Sequence, residues 1–186
     1  MGVAYGAGRQ ALLEAAIHVV SRKGLRGLTY RSVAAEAGVT HGSVAYHFGD
    51  RDTLIREALV LSARASIEDI VLTSDGPDFD GFARGLVDMV STDPDLQVFQ
   101  YELSLEARRR PELLGILAEV NDIYRDAVRR ELERNGLDDP QLAHVVFVLL
   151  DGLVFHETVT GDHERTRRSL STVRDLLRAY AARVGA

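Results

Sequence analysis

Along the chain, apolar residues recur every three or four positions and almost nowhere alternate, a pattern that predicts helices throughout. Ala11, Leu12, Ala15, Ala16, Val19 and Val20 form one stripe, predicting a first helix over roughly Gln10 to Lys23 with Gly24 as a left-handed stop. Thr29 is a good N-cap for a short second helix that buries Val33, Ala34 and Ala37 and ends at Gly38. Thr40 can cap a third, carrying Val44 and Phe48 and closed by Gly49. Asp50 caps a long fourth helix from Arg51 to about Thr73, with Leu54, Ala58, Leu61 and Ala65 inward. Ser74-Asp75-Gly76-Pro77 breaks the chain, and a helix from about Phe79 to Val90 follows. Asp93-Pro94 and Asp139-Pro140 each read as an N-cap with proline at the first helical position. Arg110-Pro111 marks a break, and Asn135-Gly136 ends the helix begun near Pro111. Gly161 and Asp162 separate the last two helices, Pro140 to Thr160 and His163 to Val184. The expected class is all-α, with about nine helices.

The helix from Pro140 to Thr160 is apolar on nearly every side, and such a helix must be covered all round. In a small subunit the second cover is most simply a partner. The last helix carries Leu170, Val173, Leu176, Leu177, Tyr180 and Val184 at helical spacing, a face wide enough for a two-fold four-helix interface. The most apolar stretch, Leu142 to Phe155, is broken by Asp151 and Gly152 and falls short of a membrane span. With no cationic start before an apolar run at Met1, a cytoplasmic protein without membrane attachment is expected.

Composition narrows the chemistry. A chain of 186 residues with 46% hydrophobic content can bury a substantial core. The absence of cysteine excludes disulfide scaffolds, thiolate metal sites and thiol nucleophiles. His156-Glu157 and His163 lack the spacing of a helical zinc site, and neither a phosphate-cradling glycine loop nor a nucleophile elbow is present. No metal, cofactor or catalytic residue is therefore expected. The formal charge of −6 argues against nucleic acid until it is divided. Residues 1–50 carry +2 and the remainder −8, so only the first lobe can face DNA without repulsion.

Within that lobe, Ala34, Gly38 and Val44 supply a small residue at a helix crossing, a residue tolerant of positive φ and an apolar anchor. That is what a helix-turn-helix needs, and its second helix would present His41, Gly42, Ser43, Ala45, Tyr46 and His47. The run Gly38-Val-Thr-His-Gly-Ser-Val-Ala-Tyr-His-Phe-Gly-Asp-Arg-Asp-Thr-Leu54 resembles the signature of the TetR family of transcriptional regulators. The match spans about Gly6 to Ser66, with the motif over 29–48. The resemblance implies a DNA-binding domain over 6–66 and a helical ligand-binding and dimerisation domain over 67–186. It also implies that Thr29 and Arg31 contact phosphates, that Thr40, His41, Gly42 and Ser43 face bases or phosphates, and that Tyr46 and His47 touch phosphate or a thymine methyl. Arg51 would hold a phosphate from the start of the fourth helix. Ala45 stands where many members carry a tyrosine, and Arg51 where lysine is usual.

Glu102 to Leu114 and Leu150 to Val154 are similar to the C-terminal domain of the betaine-regulator-like branch of that family, which names no ligand. Polar or aromatic groups on otherwise apolar faces give the candidate effector contacts Phe99, Tyr101, Glu102, Tyr124, Asp151 and Phe155. Asp151 reads either as a buried, paired acid or as the contact to a cation or amine. The candidate dimer face is Val145, Leu149, Leu153, His156, Leu170, Val173, Leu177 and Tyr180. Together these imply a homodimer that binds a palindromic double-stranded DNA operator and is released by a small-molecule effector. A helical-bundle enzyme or carrier, and an activator of the same family, are the alternatives.

Overall fold

The computed structural model describes residues 5–70 and 79–184, and among them it contains nine α-helices and no strand. They are α1 (Tyr5–Lys23), α2 (Tyr30–Glu36), α3 (His41–Phe48), α4 (Arg51–Ile70), α5 (Leu86–Thr92), α6 (Pro94–Glu106), α7 (Leu114–Arg134), α8 (Pro140–Thr160) and α9 (His163–Val184). They gather into two compact units. The first holds residues up to Ala63 together with Asp95–Val120, and the second holds Arg64–Pro94 with Asn121–Ala186. The segment 95–120 thus groups with the N-terminal helices, so the expected division at 66/67 does not follow the compact units.

In the first unit α1 packs on α2, and α2 on α3. The inward stripe of α1 holds Leu12, Ala15, Ala16, Val19 and Val20, and Leu13 and Ile17 are buried beside it. Gly24 stops α1 at φ +66°, ψ 172°, a positive φ but not the αL conformation expected, and one 3₁₀ turn, Leu25–Gly27, follows. Phe99 and Leu103 of α6, and Leu113, Ile116 and Val120 beyond it, are buried in the same unit.

The second unit closes around Phe79, Phe82, Leu86, Val90, Val128, Leu132, Val146, Leu150, Leu170, Val173 and Leu177. Here one expectation changes. The helix predicted from Phe79 begins only at Leu86, because Phe79 and Ala83 take left-handed φ values of 60° and 53°. That turn places both side chains inside the core, where the Phe79 and Phe82 rings meet edge to face and Arg174 Nε donates to the Phe82 carbonyl at 2.9 Å. The predicted end of α4 near Thr73 lies outside the described residues.

Three residues of the expected dimer face are buried within the single chain. Leu170, Val173 and Leu177 are 3–6% exposed within a single chain, so they have almost no surface left to give a partner. The period of three and four marks which residues share a side of α9, but it does not say which side turns inward. The apolar residues that stay outside are Val145, Val148, Phe155 and Val159 on α8, with Leu176 and Val184 on α9. α8 is one unbroken helix of 21 residues, long and apolar enough to cross a membrane by length and composition, which the count over 142–155 undervalues. Its inward side, Ala143, Val146 and Leu150, sits in the protein core.

Candidate nucleic-acid interface

The local sequence builds a helix-turn-helix in which every structural element has an identifiable cause. Thr29 starts α2 through a reciprocal cap: its hydroxyl accepts from Ser32 N at 3.0 Å, and Ser32 Oγ accepts from Thr29 N at 2.9 Å. Gly38 makes the turn at φ +67°, a conformation L side chains avoid. Val33, Ala34, Val44 and Phe48 are buried, so they fix the crossing of α2 and α3. Thr40 occupies the extended N-cap position of α3, but its side chain makes no capping bond, contrary to expectation.

With Val44 and Phe48 inward, the outward positions of α3 follow from helical spacing. Thr40, His41 and Gly42 are exposed, and Ser43 and His47 are half-buried. Tyr46 is 76% exposed, whereas Ala45 is half-buried. The tyrosine therefore stands outward although it lies one position from the family's usual place, with its ring edge-on to His47 at 5.5 Å. A Cβ at Gly42 would meet only Thr40 Oγ1, at 3.9 Å, whereas one at Gly27 would lie 2.5 Å from Lys23 Cβ. Packing demands glycine at 27, and nothing within the fold demands it at 42. Thr29 and Arg31, at the start of α2, are exposed.

Arg51 is placed differently from the other candidates. Its Nε donates to the Leu28 carbonyl at 3.0 Å and its Nη2 to the Leu25 carbonyl at 2.6 Å. Burial, with the nearby Arg110, lowers its guanidinium pKa below the ordinary arginine value. Arg51 thus ties the start of α4 to the turn between α1 and α2. Beside it lies an open groove lined by Arg26, Thr29, Tyr30, Gly49, Asp50 and Arg110. Asp50 caps α4, accepting from Thr53 N at 2.7 Å and from the Thr53 hydroxyl at 3.0 Å, and these bonds hold its carboxyl below the usual carboxylate value.

Sequence reasoning missed one residue. Arg9 of α1 lies 4.8 Å from the Phe48 ring centroid and makes a two-pronged ion pair with Glu57 of α4, joining α1 to the end of α3 and the first half of α4. The signal is long-range, at a separation of 48 residues, and no local periodicity carries it.

Residues 12–58 match the family model for bacterial regulatory proteins of the tetR family, and residues 77–183 match the tetracyclin repressor-like C-terminal domain. The chain belongs to the TetR family. It is a helix-turn-helix transcriptional regulator, from a family of DNA-binding regulators rather than of enzymes. Among curated relatives, the nicotine-responsive transcriptional repressor HdnoR of Paenarthrobacter nicotinovorans is 24% identical over 95% of both chains. Among solved structures, the multidrug binding protein EbrR, complexed with imidazole, is 32% identical, covers 88% of this chain and 93% of its own, and superimposes with a TM-score of 0.64. EbrR also appears with proflavin, ethidium and malachite green. The betaine-regulator-like branch has thin support: BetI of Paraburkholderia phytofirmans is 37% identical over 51 residues, 27% of this chain.

Of the effector candidates, Phe99, Tyr101 and Glu102 belong to the first unit, and Tyr124, Asp151 and Phe155 to the second. Phe99 is wholly buried, and a Cβ on Gly24 would lie 3.5 Å from Glu102 Oε2, which places that carboxylate beside the end of α1. Asp151 is exposed, so the expectation that it is buried is corrected. The buried acid of α8 is Glu157, 2% exposed, whose carboxylate accepts from the Thr166 hydroxyl at 2.5 Å and pairs with His163.

Proposed function

We propose that this regulator is a repressor that binds a palindromic operator as a homodimer in the cytoplasm and leaves it when a small molecule occupies the C-terminal helices. The DNA-reading role rests on one observation. α3 is anchored by Val44 and Phe48 while Thr40, His41, Gly42 and Tyr46 are exposed. Ser43 and His47 complete the reading face, and Thr29 and Arg31 take phosphates at the start of α2. Arg51 acts mainly as a positioning residue, since two of its nitrogens are spent on carbonyls.

The homodimer is supported by the apolar face that one chain leaves open. Val145, Val148, Phe155, Val159, Leu176 and Val184 are 44–67% exposed, which an isolated subunit in water disfavours. Gly152 falls on the same stripe of α8, and a Cβ there would meet nothing within 4 Å. A partner helix can therefore approach closely at that point. From the sequence candidates, Val145, Leu149, Leu153, His156 and Tyr180 stay in the proposed face, while Leu170, Val173 and Leu177 leave it. Release by a small molecule is supported by the name of HdnoR and by the ligand complexes of EbrR. Such a ligand acts through its different affinity for the operator-fitting and non-fitting arrangements.

A mobility shift with the DNA upstream of the chain's own gene, repeated over a salt series, tests the reading. Affinity should fall steeply with salt and the protected segment should be two-fold symmetric. Salt-independent or asymmetric binding overturns it, as does a sedimentation mass of one subunit at micromolar concentration.

A further inference from the structure

We infer that the turn between α1 and α2 carries a grip on the DNA backbone, built from Lys23 and Arg26, outside the helix-turn-helix itself. The inference rests on the proposal that α3 reads an operator, and it extends the contact surface beyond the residues given that role. The lysines and arginines of residues 5–63 divide by what engages them. Arg9 pairs with Glu57, Arg22 lies 3.4 Å from Glu36 and Arg56 3.4 Å from Glu119, while Arg51 donates to two carbonyls. Among the described residues, no hydrogen bond or ion pair engages the side chains of Lys23, Arg26 or Arg31, and all three are exposed. The acids of the same stretch are occupied. Besides Glu36 and Glu57, Asp52 lies 3.5 Å from Arg110, Asp50 caps α4 and Glu14 accepts from Gln10. The positive charge that this part of the chain leaves unneutralised therefore collects between residues 23 and 31.

The fold fixes where that charge sits. A Cβ on Gly27 would lie 2.5 Å from Lys23 Cβ, so the turn doubles back against the last residue of α1. The Gly27 carbonyl accepts from Ser32 Oγ at 2.8 Å, which ties the turn to the start of α2. Arg51 holds it from α4 through the Leu25 and Leu28 carbonyls. Arg26 lines the open groove that also contains Thr29 and Gly49, so it stands beside a proposed phosphate contact and the end of α3. The two acids of that groove, Asp50 and Glu106, are held by Thr53 and Arg109. Cations on a braced turn are already close to their bound arrangement, and a polyanion that reaches Thr29 releases counterions at each of them. Lys23 and Arg26 lie off α3, so what they add is phosphate contact, which supplies affinity and salt dependence without sequence choice.

The test measures binding of the purified full chain to two duplexes of equal length, the DNA upstream of its own gene and a random sequence, over a salt series. Lys23→Gln and Arg26→Gln should each reduce the slope of log affinity against log salt by about one per subunit, and the double variant by about four in a dimer. Affinity for both duplexes should fall by the same factor, at least about tenfold for the double variant at low salt, because phosphate contacts carry no sequence information. Tm should not move, since both side chains are exposed. Arg108→Gln removes an equal charge, likewise exposed and unengaged among the described residues, and should leave the slope unchanged. In ethylation interference, some phosphates that block the parent when modified should cease to matter in the double variant while the others persist. An equal loss of slope in Arg108→Gln overturns the grip, because it would show charge acting at a distance rather than contact. If the parent binds with a steep salt dependence and the double variant matches it, the grip falls and operator reading stands. If the parent binds neither duplex, both fall.

Discussion

α3 and α8 both carry residues that the fold of a single chain does not need, and they differ in kind. On α3 the surplus is polar or small: His41, Gly42 and a tyrosine with 76% of its surface in water. On α8 it is aliphatic: Val145, Val148 and Val159, each at least half exposed. A polar surplus beside the lobe of charge +2 suits a hydrated, charged polymer, while an aliphatic surplus suits only another apolar surface. Exposure without an internal cause marks both surfaces, and the chemistry of what is exposed names the partner.

The sharpest way to break that contrast is to place charge in the aliphatic face. Val148→Glu should convert the dimer to single subunits and lower operator affinity by about 100-fold or more, because the second half-site is no longer tethered. The isolated chain should keep its helical content, since Val148 is 52% exposed. Sedimentation and a mobility shift on the same preparation check both halves. A dimeric Val148→Glu with full affinity would remove the aliphatic half of the comparison.

Adjacent leucines on α9 sharpen it next. Leu177 is 4% exposed and Leu176 61%. Leu177→Ala should cost about 2–5 kcal/mol of stability through the cavity it leaves, with the oligomeric mass unchanged in the folded fraction. Leu176→Glu should do the reverse, weakening the dimer at little cost to the subunit. Chemical denaturation of both variants in dilute solution separates the two effects.

That pair also shows where sequence reasoning reaches its limit. The boundaries of α8 and α9 were legible because Asp139-Pro140, Gly161 and the apolar period are local signals, and the same holds for α2, α3 and the turn at Gly38. The start of α5 was not, because left-handed Phe79 and Ala83 are held by a core that includes residues 90 positions away, Arg174 among them. Likewise, spacing put Leu170, Val173 and Leu177 on one stripe, but its direction depends on α5, which packs against both α8 and α9. On α2 and α3 the residues that face out of the core were legible, whereas the inward aim of Arg51 was not. The Leu28 carbonyl and the Leu25 carbonyl, which also accepts from Leu28 N, draw the guanidinium, and no motif records them.

Arg51 braces the proposed reading face, and Tyr46 is its proposed reader. Tyr46→Ala should weaken operator binding by about tenfold and leave Tm unchanged, since the ring is outside the core. Arg51→Ala should lower both, because the Leu25 and Leu28 carbonyls each lose a charge-assisted bond, worth about 1–3 kcal/mol. Arg51→Lys should recover less than half of the stability, as an ammonium lacks the fork that reaches two carbonyls. An Arg51→Ala protein with unaltered Tm would return Arg51 to the readers.

The smallest effect lies in the two helix caps of that lobe, one neutral and one charged. Thr29→Ala should cost about 1 kcal/mol at every pH, because the bonds between Thr29 and Ser32 involve no titrating group. Asp50 behaves otherwise. Its carboxyl pKa is lowered from the ordinary 3.8 by the backbone N–H and hydroxyl of Thr53. A lowered folded pKa means that the folded state holds the ionised form more tightly than the unfolded chain does. The resulting stabilisation is complete above the unfolded value and is lost as the pH falls through the folded one. The urea midpoint of the parent chain should thus exceed that of Asp50→Asn near neutrality, and the two should converge as the pH falls below the ordinary carboxylate range. A gap that persists in acid would show that the Asp50 cap acts through shape rather than charge.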